Sequence, residues 1–139
     1  MSISFESLTV GGELPELTVP PITRTTLALF AGASGDHNPI HIDLDFARDA
    51  GQEDVFAHGM LTMAYIGRLI TNWVPQRQLR SFNLRFLGIT HLADALTCTG
   101  TVIEKLEQGG EQLVRVEVAS CDQEGNRKAV GEALIALPE

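Results

Sequence analysis

Between Ser34 and His41 the chain reads Ser-Gly-Asp-His-Asn-Pro-Ile-His, an octet that holds half of the four histidines in the sequence. Asp36 and His41 stand five residues apart, and a carboxylate and an imidazole brought to one water molecule can move protons as a general acid and base. The same residue types also bind cations, and they also build turns that do no chemistry. All three readings start from the same eight residues.

A calcium loop needs Gly at its sixth position and Glu at its twelfth, and counting from Asp36 these are His41 and Ala47, so calcium fails twice. Zinc fares little better. His37 and His41 would share a face only on a helix, Pro39 pushes Asn38 out of helical geometry, and no Cys or third His follows at ligand spacing. No metal site is therefore expected. The turn reading is stronger, because Ser-Gly-Asp-His-Asn-Pro is rich in residues that bond their own backbone. A turn has no use for an imidazole five residues beyond its carboxylate, however, and the combination favours catalysis.

A second stretch, Ala57-His58-Gly59-Met60, opens the longest apolar segment. Amides at the start of a helix point outward unpaired and favour negative charge, and at Gly59 no side chain would keep a carbonyl oxygen from that N–H. Taken alone, Gly59 is an ordinary loop glycine, and His58 is a packing or capping residue. His37 and His91 are expected to face solvent. An acid, a base and a helix-start amide together describe a site for a carbonyl that becomes an enolate, which is proton transfer beside a thioester.

These groups need elements to hold them. A length of 139 residues allows one domain with a core, read here as spanning 1–139, and 44% apolar with 20% charged residues is a globular composition. The opening residues lack a basic cluster followed by an apolar run, and no run approaches the ~20 residues of a membrane helix, so a soluble, cytoplasmic protein is expected. A net charge of -8 with ten scattered Lys and Arg argues against nucleic acid. Two cysteines, Cys98 and Cys121, fall in strand-like segments and read as buried thiols.

Short strands are expected at 3–10 and 17–19. Thr23 should cap a helix that runs out at Ser34-Gly35, and Asp43 a shorter one closed by Gly51. From Gly59 to Val74 the sequence is apolar or small nearly all round, with Arg68, Thr71 and Asn72 interrupting and Pro75 stopping it. Such a helix, roughly 24 Å long, should be enclosed. Then the period becomes two. Phe82, Leu84 and Phe86 alternate with polar residues, as do Leu96, Cys98 and Val102, and, with a slip, Leu113, Val116 and Val118; Gly109-Gly110 and 122–126 mark the turns before a last strand at 129–137. Helices followed by antiparallel strands give an α+β fold, a sheet curled around one central helix.

At this point the residues resemble a known family. Ala31, Ser34, Gly35, Asp36, Asn38, Pro39, Ile40, His41, Asp43 and Ala47 stand as in the hydratase 2 signature of the MaoC-like hydratases and dehydratases. Ala57-His58-Gly59-Met60 with its helix is similar to the next block, and the likeness is specific from about Thr23 to Pro75. The resemblance implies a single hotdog fold, a homodimer, and reversible hydration of trans-2-enoyl thioesters to (3R)-hydroxyacyl thioesters. It makes Asp36 and His41 the catalytic pair, with Gly59 N–H holding the thioester oxygen. Asn38, Ser34, His58 and Met60 would contact substrate. Coenzyme A would enter only as part of the substrate, with no other cofactor. The acyl carrier does not transfer from the resemblance: Arg24, Arg85, Lys105, Arg127 and Lys128 are undistinguished candidates for phosphates, and acyl carrier protein is the second possible carrier. A hotdog thioesterase and a non-catalytic acyl-binding subunit are the competing functions.

Overall fold

The structure, a computed structural model, describes residues 3–138. Its centre is one helix lying on one sheet. The sheet has five antiparallel strands, β1 (Leu17–Thr18), β2 (Leu79–Phe86), β3 (Thr97–Gln108), β4 (Glu111–Cys121) and β5 (Arg127–Ala136), in the order β1-β3-β4-β5-β2. Gly109 and Gly110 both take positive φ, +60° and +79°, so the β3–β4 hairpin closes on a two-residue turn whose twist matches its strands. Strand β3 carries a bulge between Val102 and Glu104, opposite Val116 and Arg115, while in β4 Leu113 is buried out of phase with Val114, Val116 and Val118 and lies outside the main core.

Three helices precede the long strands. Helix α1 (Arg24–Ser34) starts at Thr23, whose hydroxyl accepts from Thr26 N–H at 3.2 Å, and ends where Gly35 turns left-handed at φ +76°. Asp43 caps α2 (Leu44–Asp49) by accepting from the amides of Asp45 and Phe46. Helix α3 (Gly59–Trp73) stops one residue earlier than expected, with Val74 extended before Pro75. Ile66, Leu69, Ile70 and Val74 pack against Cys98, Val102, Val116, Val118, Ala133 and Ile135 of the sheet. Each such fully buried aliphatic side chain is worth about 1.5–3 kcal/mol. A smaller cluster of Ile22, Leu27, Ala47, Val55, Ala57 and Leu61 seats α1 and α2 against the start of α3.

Two expectations need correction. Residues 3–10 form turns in place of a strand: Ser4 and Ser7 each accept the other's backbone N–H through the hydroxyl, which competes with a strand ladder, and only Leu17–Thr18 pairs as β1. Ile3, Phe5 and Leu8 still pack on the core from this loop. Nor is α3 enclosed on every side. In the single chain Met60, Ala64, Arg68 and Thr71 form an open stripe along it, because the sheet covers one face only. Cys98 is buried as expected, and its thiol is pushed up to about 12 by that burial, whereas Cys121 is only half-buried.

Candidate active site

The octet folds as a chain of local hydrogen bonds. Ser34 Oγ accepts from Asp36 N–H at 3.1 Å, Asp36 Oδ1 from Asn38 N–H at 3.2 Å, and Asn38 Oδ1 from Ile40 N–H at 3.1 Å, the last capping a single 3-10 turn at Pro39–His41. The turn reading was therefore correct about how the loop is shaped, and it accounts for Ser34 and Asn38, whose oxygens are engaged in the loop. It does not account for His41, which leaves the turn and inserts into the protein. The imidazole is 8% exposed and donates from Nδ1 to the carbonyl of Phe56 at 2.8 Å. A carbonyl can only accept, so Nδ1 carries the proton and Nε2 is the free, basic nitrogen.

His58, the residue before α3, comes to the same place. It is completely buried, donates from Nε2 to the main-chain carbonyl of Asp36 at 3.2 Å, and stacks on His41 with ring centroids 4.0 Å apart and 27° between planes. One side-chain atom from each of Asp36, His41 and His58 lies within 4.8 Å of the others, Asp36 being the most open to solvent. Burial lowers the pKa of His58, the neighbouring His41 lowers it further, and bonding to Asp36 offsets this in part. His58 is therefore held neutral.

Spacing within the octet does not reveal this second imidazole, because His58 reaches the site through tertiary folding; along the chain its signals are its place beside Gly59 and the family resemblance. A carboxylate and two imidazoles are also a metal-type set of donors. Two imidazoles share an ion where their ring planes meet, but these rings lie face on face, with 27° between planes. His41 Nδ1 and His58 Nε2 are also each committed to a carbonyl. The arrangement suits proton transfer better than ligation.

Gly59 is the first residue of α3, and no side chain caps the amides of this turn. A Cβ at Gly59 would stand 3.3 Å from the Phe86 ring, so the bare glycine admits that ring as well as any carbonyl. A pocket of about 310 Å³ opens here, lined by Gly59, Thr62, Phe86, Ile89 and Thr90 among others. Thr62 and Thr90 were not singled out from the sequence, although both are buried with their hydroxyls 3.4 Å apart. Met60, 53% exposed, lies on the open stripe of α3, and His37 and His91 face solvent as expected. His58 was expected to contact substrate. Its complete burial between Phe30 and His41 leaves it no surface to do so, because it packs within the loop-to-helix junction.

Of the cations considered for phosphates, Arg24 is paired with Asp54 at 2.6 Å, Lys105 donates to the Leu8 carbonyl, and Lys128 is held near Asp94 and Asp122. Arg85 and Arg127 have no side-chain partner among the described residues.

A sheet wrapped on one helix, with a carboxylate and two imidazoles gathered at the helix start, defines a hotdog-type fold carrying a candidate proton-transfer site. Comparison with known proteins gives the family: residues 9–124 match the MaoC like domain, and the chain belongs to that family. Its structure is similar to that of the R-hydratase PhaJ1 from Pseudomonas aeruginosa, with a TM-score of 0.86 and 34% identity over 99% of this chain and 87% of that one. In sequence it is 29% identical to the (R)-specific enoyl-CoA hydratase of Rhodospirillum rubrum, over 84% of this chain and 81% of the relative. It is 30% identical to the mitochondrial 3-hydroxyacyl-[acyl-carrier-protein] dehydratase of Arabidopsis thaliana, over 94% and 78%. Fungal fatty acid synthase beta subunits also align, and of those the chain spans 5% of the length.

Proposed function

We propose that the protein hydrates trans-2-enoyl-CoA to (3R)-hydroxyacyl-CoA, and runs the reverse dehydration, with Asp36 and His41 activating one water. The observation that carries the residue assignment is the meeting of the Asp36 carboxylate with an imidazole whose Nδ1 is pinned to the Phe56 carbonyl, leaving Nε2 free as a base. In hydration the water oxygen bonds to C3, its proton passes to His41 Nε2, and a proton is returned to C2 through the same pair. Negative charge gathers on the thioester oxygen as C3 is attacked. The Gly59 amide at the uncapped start of α3 receives that oxygen, and donors of this kind are worth on the order of 3 kcal/mol. Water and two proton movements balance the reaction, so no further cofactor is required. Asn38 and Ser34 hold the loop, and Met60, exposed beside Gly59, is the remaining candidate for a substrate contact.

Arg85 and Arg127 are the cations left to meet phosphates, and against a net charge of -8 that attraction has to be local. The likeness to the Arabidopsis dehydratase supports a second carrier, acyl carrier protein, on the same chemistry. Residues 1–139 act as one domain, in the cytoplasm, and the working unit is a homodimer. Among the described residues no helix is long and apolar enough to cross a membrane.

The test is loss of the conjugated enoyl absorbance of crotonyl-CoA, with crotonyl carrier protein alongside and the product's stereochemistry resolved. Asp36→Asn and His41→Gln, each shown to be folded, should lower turnover about 10²-fold or more. Normal rates in both would remove the assignment of the pair, and release of free thiol would mean thioester hydrolysis instead.

A further inference from the structure

His58 is completely buried beside the reacting groups, and the reaction as written uses none of its chemistry. Its Nε2–H reaches back 22 residues to the carbonyl of Asp36, while His41 Nδ1–H reaches forward 15 residues to the carbonyl of Phe56. The two bonds are nested, 41–56 inside 36–58, and tie the loop 36–41 to the segment 56–58 at both ends. Between them the imidazole faces stack at 4.0 Å, and Phe30 meets the His58 ring edge-on at 4.9 Å. A phenyl ring would fill this place without exposing a polar atom to an apolar surrounding. His58 instead carries a buried Nδ1 with no hydrogen-bond partner among the described residues. Buried polar atoms are rarely left so, and packing alone does not account for an imidazole here.

We infer that His58 is a positioning residue for the hydration reaction: it holds the main chain of Asp36 by hydrogen bond and the plane of His41 by stacking, and so sets the carboxylate and the basic nitrogen on one water. The inference rests on the hydratase reading. The ring neither takes the water's proton nor repels it once His41 is charged, because burial keeps it neutral. A displacement of about 1 Å between acid and base is enough to cost about 10² in rate.

Three variants separate the two contacts. His58→Phe keeps a flat ring without the donor, His58→Gln keeps a donor without the ring, and His58→Ala removes both. With crotonyl-CoA, kcat should fall about 10-fold in each of the first two and about 100-fold in the third, while KM stays within about threefold. Backbone 15N relaxation should show residues 36–41 as rigid in the parent, with order parameters near 0.85, and looser in His58→Phe and His58→Ala. Unchanged kcat in folded His58→Phe and His58→Gln would reduce the residue to a filler. A raised KM with kcat intact would make it a substrate contact, which also overturns the inference. If the parent protein does not hydrate crotonyl-CoA, the hydratase reading fails on its own, and unchanged rigidity of 36–41 in both relaxation variants would independently remove the brace.

Discussion

At Gly59 the bare amide leaves room for an oxygen, and the Phe86 ring stands in the space a Cβ would need, at 3.3 Å. Phe86 is itself 48% exposed, so its ring can give way. Gly59→Ala should therefore fold with little change, since alanine favours a helix by about 1 kcal/mol and offsets the displaced ring. Turnover of crotonyl-CoA should nevertheless fall about 10-fold or more, because the methyl group stands beside the proposed oxygen site. A variant as active as the parent would show that the thioester oxygen is held elsewhere. The Asp36 and His41 pair was legible from types and spacing alone. His58 was not, because nothing within five residues of the octet announces an imidazole that arrives 17 residues after His41.

At the scale of elements, the turn joining β4 to β5 carries a dense polar network. Asp122 Oδ1 accepts from the amides of Glu124 and Asn126, its Oδ2 accepts from the Asn126 side chain at 3.0 Å, and Lys128 Nζ lies 3.4 Å away. The same ammonium donates to the carbonyl of Ile89, a residue of the pocket wall. Burial alone would raise the pKa of Asp122, but the Asn126, Glu124 and Lys128 contacts together outweigh it and hold the group at about 2. A carboxyl whose pKa is depressed by folding stabilises the native state above its unfolded value of 3.8. That stability is lost as the pH falls from about 4 toward 2. Asp122→Asn should lower Tm at pH 7 and flatten the fall of Tm between pH 4 and pH 2. Parallel curves for parent and variant would deny Asp122 this part. The N-terminal segment shows the opposite case, where a short strand is expected at 3–10 and two serine hydroxyls divert the backbone into turns.

For the whole molecule, the single chain leaves surface that a second copy would cover. Strand β2 is a sheet edge eight residues long, the stripe Met60, Ala64, Arg68 and Thr71 of α3 is open, and Phe86, Leu87 and Ile89 are exposed together at the end of β2. Open edges and contiguous apolar patches are hazards that association removes. Sedimentation at micromolar concentration should give a dimer, and Ala64→Arg, placed on the open stripe away from the reacting groups, should shift it toward monomer. A monomeric parent protein would remove the homodimer from the proposal.

What the sequence determined by itself is what local physics controls: the caps at Thr23 and Asp43, the left-handed stop at Gly35, the glycine hairpin, the two-residue period of the strands and the hydrogen-bonded turns of the octet. Each depends on residues a few positions apart, so it can be read along the chain. Tertiary structure alone decided that α3 is covered on one face, that Lys128 is taken out of the pool of free cations, and that His58 bonds to the Asp36 carbonyl and stacks on His41. Those outcomes depend on groups far apart in the chain meeting in space, and burial and hydrogen-bond satisfaction between such groups are settled only when the whole core closes.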